Sequence, residues 1–259
     1  MLVDGAGTPV LLLHGFPDSS HLWRHQIPAL VAAGFRTITP DLRGFGESEK
    51  PPAIEDYAMT RSIADMLAVL DALELERAHI VGHDFGAGLA WALAALVPER
   101  VDRLVIMSVG HPNSFRPPSI AQREKFWYQL LFQFEDIAEP LIQHNRWRLF
   151  REMFRGAQDL EQYIADLSRP GALTAALGWY RANAAPAKEL KWTRSFPAVA
   201  APTLGIWSTG DNYLLEEGMT ASTDHVTGPW RYERVEGAGH WLQLDAPTRV
   251  NELLLEFLA

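Results

Sequence analysis

The chain has no cysteine. Disulfides, thiol nucleophiles and thiolate metal sites are therefore excluded together, while the compartment stays open. No apolar run approaches the roughly 20 residues that span a bilayer. The opening Met1-Leu2-Val3-Asp4 turns polar at once and has no basic stretch, so no secretory leader is read. Basic charge is scarce: 23 Lys and Arg stand against 32 Asp and Glu, leaving a net charge of −9. That balance argues against a nucleic-acid partner. Internal repeats, low-complexity tracts and linkers are absent. A soluble, cytoplasmic protein is the expectation, and 259 residues suffice for a sizeable core.

What is present alternates. Val10-Leu11-Leu12-Leu13 is a short continuous apolar run, as for a strand covered on both faces. Residues 20–33 have helical spacing, ended by Gly34, and residues 35–39 read as a second strand. Residues 41–48 are a glycine-punctuated loop and 60–73 an amphipathic helix. A strand over 78–81, a helix over 87–97 and a strand over 101–109 follow. Strands alternating with helices predict an α/β fold with a mostly parallel central sheet covered by helices on both faces. From 111 to 190 the alternation stops and aromatic-rich helical stretches take over. Strands resume at 203–207 and 231–235, and a helix over 248–258 closes the chain. The expected organisation is a core of residues 1–110 and 191–259, with a helical cap of residues 111–190 inserted in it. The cap should dock on the sheet.

The most informative stretch is Gly82-His83-Asp84-Phe85-Gly86, between a strand and a helix. Glycine-x-residue-x-glycine at that junction sets one side chain at the apex of a sharp turn, a place more often held by serine. The glycines lack Cβ atoms, so the turn can close tightly. Asp84 has no hydroxyl to deprotonate, but a carboxylate can attack carbon directly and leave an ester on the protein. Asp84 as a helix N-cap is the plainer alternative. Asp211 follows one later strand and His240 lies in the loop after another. Singly, such residues are more often turn or cap groups. Their order after the elbow, at strand ends where open α/β sheets bind ligands, favours catalysis. His83 reads as structural. The loop His14-Gly15-Phe16-Pro17 after the first clear strand and the residue after the nucleophile are the expected sources of oxyanion-hole N–H groups, here Phe16 and Phe85.

Together these segments resemble the α/β-hydrolase fold superfamily, in its epoxide hydrolase branch. The likeness rests on His14 to Leu30, Asp41 to Ser48, Val81 to Gly86 and Gly237 to Trp241. It implies Asp84 as nucleophile, His240 as general base and Asp211 as its orienting acid. It also implies two cap tyrosines that hydrogen-bond an epoxide oxygen, Tyr128 in Trp127-Tyr128-Gln129 and Tyr180 in Gly178-Trp179-Tyr180-Arg181. Trp127, Trp179 and Phe132 are the neighbouring aromatics expected to contact substrate. The resemblance implies a small apolar epoxide and water as reactants, with no cofactor and no metal. Monomer and homodimer both stay open. The sequence departs from the family in two places. Phe85 stands where tryptophan is common, and only Met1 to Thr8 precede the first clear strand, where the family usually has two more. The N-terminal edge of the sheet is therefore expected to be shortened or missing. Rival readings are a haloalkane or haloacid dehalogenase with the same Asp-His-Asp set, and a non-catalytic small-molecule-binding homologue. A serine esterase has little support, because Ser108 and Ser208 lie near strand ends but in no elbow.

Overall fold

The computed structural model describes residues 1–115, 117–189 and 195–259. Its sheet contains β1 (Leu2–Gly5), β2 (Thr8–Leu13), β3 (Phe35–Thr39), β4 (Ala78–His83), β5 (Val101–Met107), β6 (Thr203–Ser208) and β7 (Trp230–Val235). Their order is β1-β3-β2-β4-β5-β6-β7, with every pair parallel except β1 with β3. Val10 to Leu13 and all of β4 are buried. This is why the runs read as continuous rather than alternating: helices cover both faces. Strand β2 has β3 on one side and β4 on the other, so the chain leaves it in one direction and returns in the other. In open α/β sheets ligands bind at that reversal, outside the carboxyl ends of the strands.

The core helices are α1 (Gln26–Ala32), α2 (Met59–Ala72) and α3 (Phe85–Leu96). Helix α3 lies across β2, β4 and β5 with α2 beside it. The helix expected over 20–33 is broken. The Ser19 hydroxyl accepts from the His21 N–H and starts a 3₁₀ turn over Ser20–Trp23, and α1 begins afresh at Gln26. Strand β1 had no place in the sequence pattern, because none of its four residues is buried. It adds one antiparallel strand at the edge the sequence left in doubt.

Between β5 and β6 come α4 (Ile120–Lys125), α5 (Trp127–Phe132), α6 (Ala138–Met153, kinked at His144–Trp147), α7 (Leu160–Leu167), α8 (Ala172–Asn183) and α9 (Pro186–Glu189). The expected boundary between residues 190 and 191 lies outside the described residues. Polar bonds, most of them half-buried, join the inserted helices to one another and to the core. Arg181 holds Glu139 through two hydrogen bonds of 2.6 and 2.9 Å and donates to the Phe132 carbonyl. Asn183 accepts from the Met59 N–H and donates to the Tyr57 carbonyl, while Arg24 grips Asp159 from the core side. After β6 follow α10 (Glu216–Thr220), α11 (Leu242–Asp245) and α12 (Pro247–Leu258). Helix α12 packs on α1. No helix among the described residues is long and apolar enough to cross a membrane.

Candidate active site

Asp84 stands at the junction of β4 and α3 with φ +52° and ψ −120°. A non-glycine residue in that region is strained, and such strain persists only where the surroundings impose it. Three glycines impose it here. A Cβ on Gly82 would come 2.4 Å from the Gly86 carbonyl oxygen, and one on Gly86 would come 2.1 Å from that of Leu13. A Cβ on Gly15 would meet Asp84 Oδ1 at 2.3 Å and the Phe85 nitrogen at 2.7 Å. The Asp84 side chain makes no capping bond to α3, so the plain N-cap alternative fails. Its Oδ1 instead accepts from the Phe16 N–H at 2.8 Å. The loop after β2 thus aims one backbone donor at the carboxylate, and the Phe85 nitrogen flanks the same gap.

The structure brings the three distant residues together. His240 Nε2 is 3.7 Å from Asp84 Oδ2, and His240 Nδ1 donates to Asp211 Oδ2 at 2.9 Å. Asp211 Oδ1 accepts from the backbone N–H groups of Tyr213 and Leu214 at 2.8 and 3.0 Å. Burial pushes the His240 pKa down, but the Asp211 and Asp84 carboxylates outweigh it and bring it up to about 10. Burial alone would raise both carboxyls. The imidazole and the backbone donors hold Asp84 and Asp211 below the usual carboxylate range. At neutral pH the resting site therefore holds two carboxylates around an imidazolium.

Three strand ends grip the histidine loop. His83, at the end of β4, is buried with its Nε2 2.9 Å from the His240 carbonyl oxygen. Burial, with His240 beside it, pushes the His83 pKa down to about 3, so it is neutral and donates through Nε2–H. Ser108, just past β5, donates to the same carbonyl at 3.2 Å, and Ser208, at the end of β6, donates to the Gly239 carbonyl at 2.6 Å. Both serine hydroxyls are thus committed to the loop, and neither lines the cavity, which removes the esterase alternative.

A cavity of about 740 Å³ opens over Asp84. Tyr128 of α5 and Tyr180 of α8 line it together with Asp84 and Phe85. Their rings meet edge to face, with centroids 5.9 Å apart. Burial raises both phenols well above their ordinary pKa, and the Asp84 charge adds to it, so both keep their protons. The rest of the wall is mostly apolar, including Met59, Val109, Phe115, Phe126 and Leu214.

Three residues expected to contact substrate lie off the cavity wall. Trp127 is 48% exposed on the outer side of α5, Trp179 is fully buried with its Nε1–H on the Arg43 carbonyl, and Phe132 is fully buried against Phe16 and Tyr180. None lines the cavity. Adjacent helical residues point about 100° apart, so where the tyrosine faces inward its neighbour does not. Tyr213 was missed. It lines the cavity, packs its ring edge-on at 5.0 Å from His240, and donates its phenol proton to the Met153 carbonyl at 2.7 Å. Asp18 was also missed as a link. It accepts from Trp241 Nε1 at 2.7 Å and so joins the Phe16 loop to the His240 loop. Burial pushes its carboxyl up to about 8. Both contacts cross more than a hundred residues or depend on the direction of one ring, and no local spacing encodes them. Among the described residues no cluster of His, Asp or Glu is arranged to hold a metal.

A family model described as alpha/beta hydrolase fold matches residues 8–247. Epoxide hydrolase A of Mycobacterium tuberculosis is 34% identical, over 97% of this chain and 91% of that protein. This chain belongs to the epoxide hydrolase branch of the α/β-hydrolase family. Other members of the family are also close. Epoxide hydrolase 3 of Xenopus tropicalis is 33% identical over 96% of this chain and 71% of its own length. The crystal structure of epoxide hydrolase A from Mycobacterium thermoresistibile superposes with a TM-score of 0.85 at 32% identity, covering 99% of this chain and 93% of that one.

Proposed function

We propose that this epoxide hydrolase family member opens an epoxide to a vicinal diol through an ester on Asp84. Residues 111–190 serve as the cap that carries the two tyrosines, over a core of residues 1–110 and 191–259. The observation that carries the reading is the shared cavity, with an elbow carboxylate on its floor and two protonated, buried phenols in its wall. In the first half-reaction Tyr128 and Tyr180 hydrogen-bond the ring oxygen. Asp84 Oδ2 attacks a ring carbon, the carbon–oxygen bond breaks, and one phenol passes its proton to the departing alkoxide. Oδ2 is the attacking oxygen because Oδ1 is held by the Phe16 N–H.

The second half-reaction needs a neutral imidazole. Ester formation removes one of the two negative charges that hold the His240 proton, so its pKa falls, and the proton passes by way of solvent to the phenolate left by the first step. His240 then takes a proton from water, which attacks the Asp84 carbonyl carbon. Asp211 orients the ring and stabilises its charged form. Oδ1, now the carbonyl oxygen, becomes the oxyanion against the Phe16 and Phe85 N–H groups. Collapse of the tetrahedral intermediate breaks the bond from carbon to Oδ2, the departing alkoxide takes the proton of the added hydroxyl, and the diol leaves with Asp84 again a carboxylate. Ester hydrolysis should thus gain rate as pH rises through the pKa of His240 in the ester, while ester formation should not follow that titration.

The dehalogenase reading is weaker because no indole N–H lines the cavity to hold a departing halide. Phe16 and Phe85 are hydrocarbon, Trp179 Nε1 is committed to a carbonyl, and Trp127 points outward. The binding-protein reading leaves the aligned His240–Asp211 pair without a purpose. A panel of epoxides and haloalkanes run beside Asp84→Ala separates all three. Diol from epoxides, lost in Asp84→Ala, is the expected result. Halide release without diol, or tight binding without turnover that survives Asp84→Ala, would overturn it.

A further inference from the structure

The cavity over Asp84 extends to one side only. In the sheet, β2 lies on one side of β4, and β5 then β6 lie on the other. The loops after β5 and β6 line the cavity with Val109, Phe115, Tyr213 and Leu214. Among the described residues the lining begins at Met59, so none of it comes from the loops after β2 or β3. A packed aromatic cluster stands on the β2 side instead. Phe16, in the loop after β2, meets Phe132, Phe150 and Phe154 with ring centroids 5.7, 6.5 and 5.7 Å away. Trp241 closes the cluster, 6.0 Å from Phe154. Each of the five is at most 5% exposed, and none lines the cavity. The cluster abuts the reacting groups. Phe16 gives its N–H to Asp84 Oδ1, and the rings of Phe16 and Phe132 pack 5.4 and 4.9 Å from that of Tyr180.

We propose that this site takes epoxides substituted on one ring carbon only, with an apolar substituent. The inference rests on the epoxide-opening reading above and narrows its substrate class. With the ring oxygen on the two phenols and a ring carbon over Asp84 Oδ2, the two ring carbons lie side by side and their substituents diverge. One substituent enters the open side, over β5 and β6. A substituent on the other carbon, cis or trans to the first, has to enter the aromatic cluster. Rings packed at the density of a protein interior admit no further methyl group without displacing one another. Two substituents on the same carbon both face the open side. A volume of about 740 Å³ is in the range that holds drug-sized ligands, so an aryl or extended alkyl arm has room. The two asparagines of that wall already spend their amides within the protein. Asn113 bonds Ser195 and the Phe196 backbone, and Asn183 bonds the backbone of Met59, Tyr57 and Trp179. A polar arm would lose water there without gaining these partners, which favours an apolar one.

Two isomeric derivatives of styrene oxide test this. α-Methylstyrene oxide carries its methyl on the phenyl-bearing ring carbon, and trans-β-methylstyrene oxide carries it on the other. Each kcat/KM is divided by the rate constant of the same epoxide with acetate, which corrects for intrinsic reactivity toward a carboxylate. After that correction the β-methyl isomer should be at least ~10-fold poorer than the α-methyl isomer, as expected for a methyl forced into a packed wall. Phe150→Ala and the milder Phe154→Leu open the cluster, and circular dichroism and thermal unfolding establish that they fold. In a folded variant the β-to-α ratio should rise by about the same factor. The ratio is read within each protein, so a general loss of activity cancels. If neither variant folds, the parent ratio decides. Equal corrected rates for the two isomers in the parent, or a ratio unchanged in the folded variants, would overturn the inference while the ester on Asp84 still forms. An Asp84 that forms no ester with any epoxide would overturn the reading beneath it as well.

Discussion

Replacing His240 by alanine should yield a protein that consumes about one epoxide per active site and then stalls with the ester on Asp84. Ester formation uses the Asp84 carboxylate and the two tyrosines, and the Phe16 N–H holds Oδ1 whether or not the imidazole is present. Hydrolysis then lacks its base, and the neighbouring imidazole of His83 does not replace it because its Nε2 is committed to the backbone carbonyl of residue 240. General-base catalysis typically contributes ~10²–10⁴-fold, so steady-state diol formation should fall by about that much or more. The burst of epoxide consumption should survive. Rapid-quench measurement of epoxide and diol separates the two steps. Equal slowing of both would mean that His240 acts before the ester forms, and the assigned sequence of steps would fail.

Tyr128→Phe combined with Tyr180→Phe should remove the first half-reaction. Each phenol is a pre-positioned donor in a buried wall, and losing one donor to a developing oxyanion typically costs roughly 10²–10³-fold. Each single variant should therefore still turn over slowly, because the other phenol remains. The double variant should form no detectable ester in a rapid-quench experiment. Phenylalanine keeps the rings that pack on each other and on Phe132, so the fold should hold. A double variant that opens epoxides at the parent rate would show that the oxygen is stabilised elsewhere.

The parts of this site legible in the sequence are those written in contiguous residues. The elbow is a five-residue pattern whose glycines are demanded by contacts under 3 Å, so its chemistry could be read before its geometry. His240 and Asp211 were legible through order and placement after strands, since parallel strands deliver their ends to one rim. The buried strands were legible because both faces are covered, and β1 was not because it buries nothing. Tyr128 and Tyr180 came from the family resemblance alone, since an aromatic-dense helix does not announce which ring faces a cavity. The same ambiguity covers Trp127, Trp179 and Phe132, which lie off the cavity wall. The grip of His83, Ser108 and Ser208 on the histidine loop, and the Asp18–Trp241 link, were beyond the sequence. Each joins a side chain at one strand end to a loop far away in the chain.

The account depends on an oxygen of Asp84 leaving with the product, and a single turnover in ¹⁸O water with enzyme in excess tests this most directly. Mass spectrometry of the peptide holding Asp84, and of the diol, should find the heavy oxygen in the side chain and none in the first-turnover diol. A labelled first-turnover diol with an unlabelled Asp84 would mean that water attacks the epoxide directly, and no ester lies on the path.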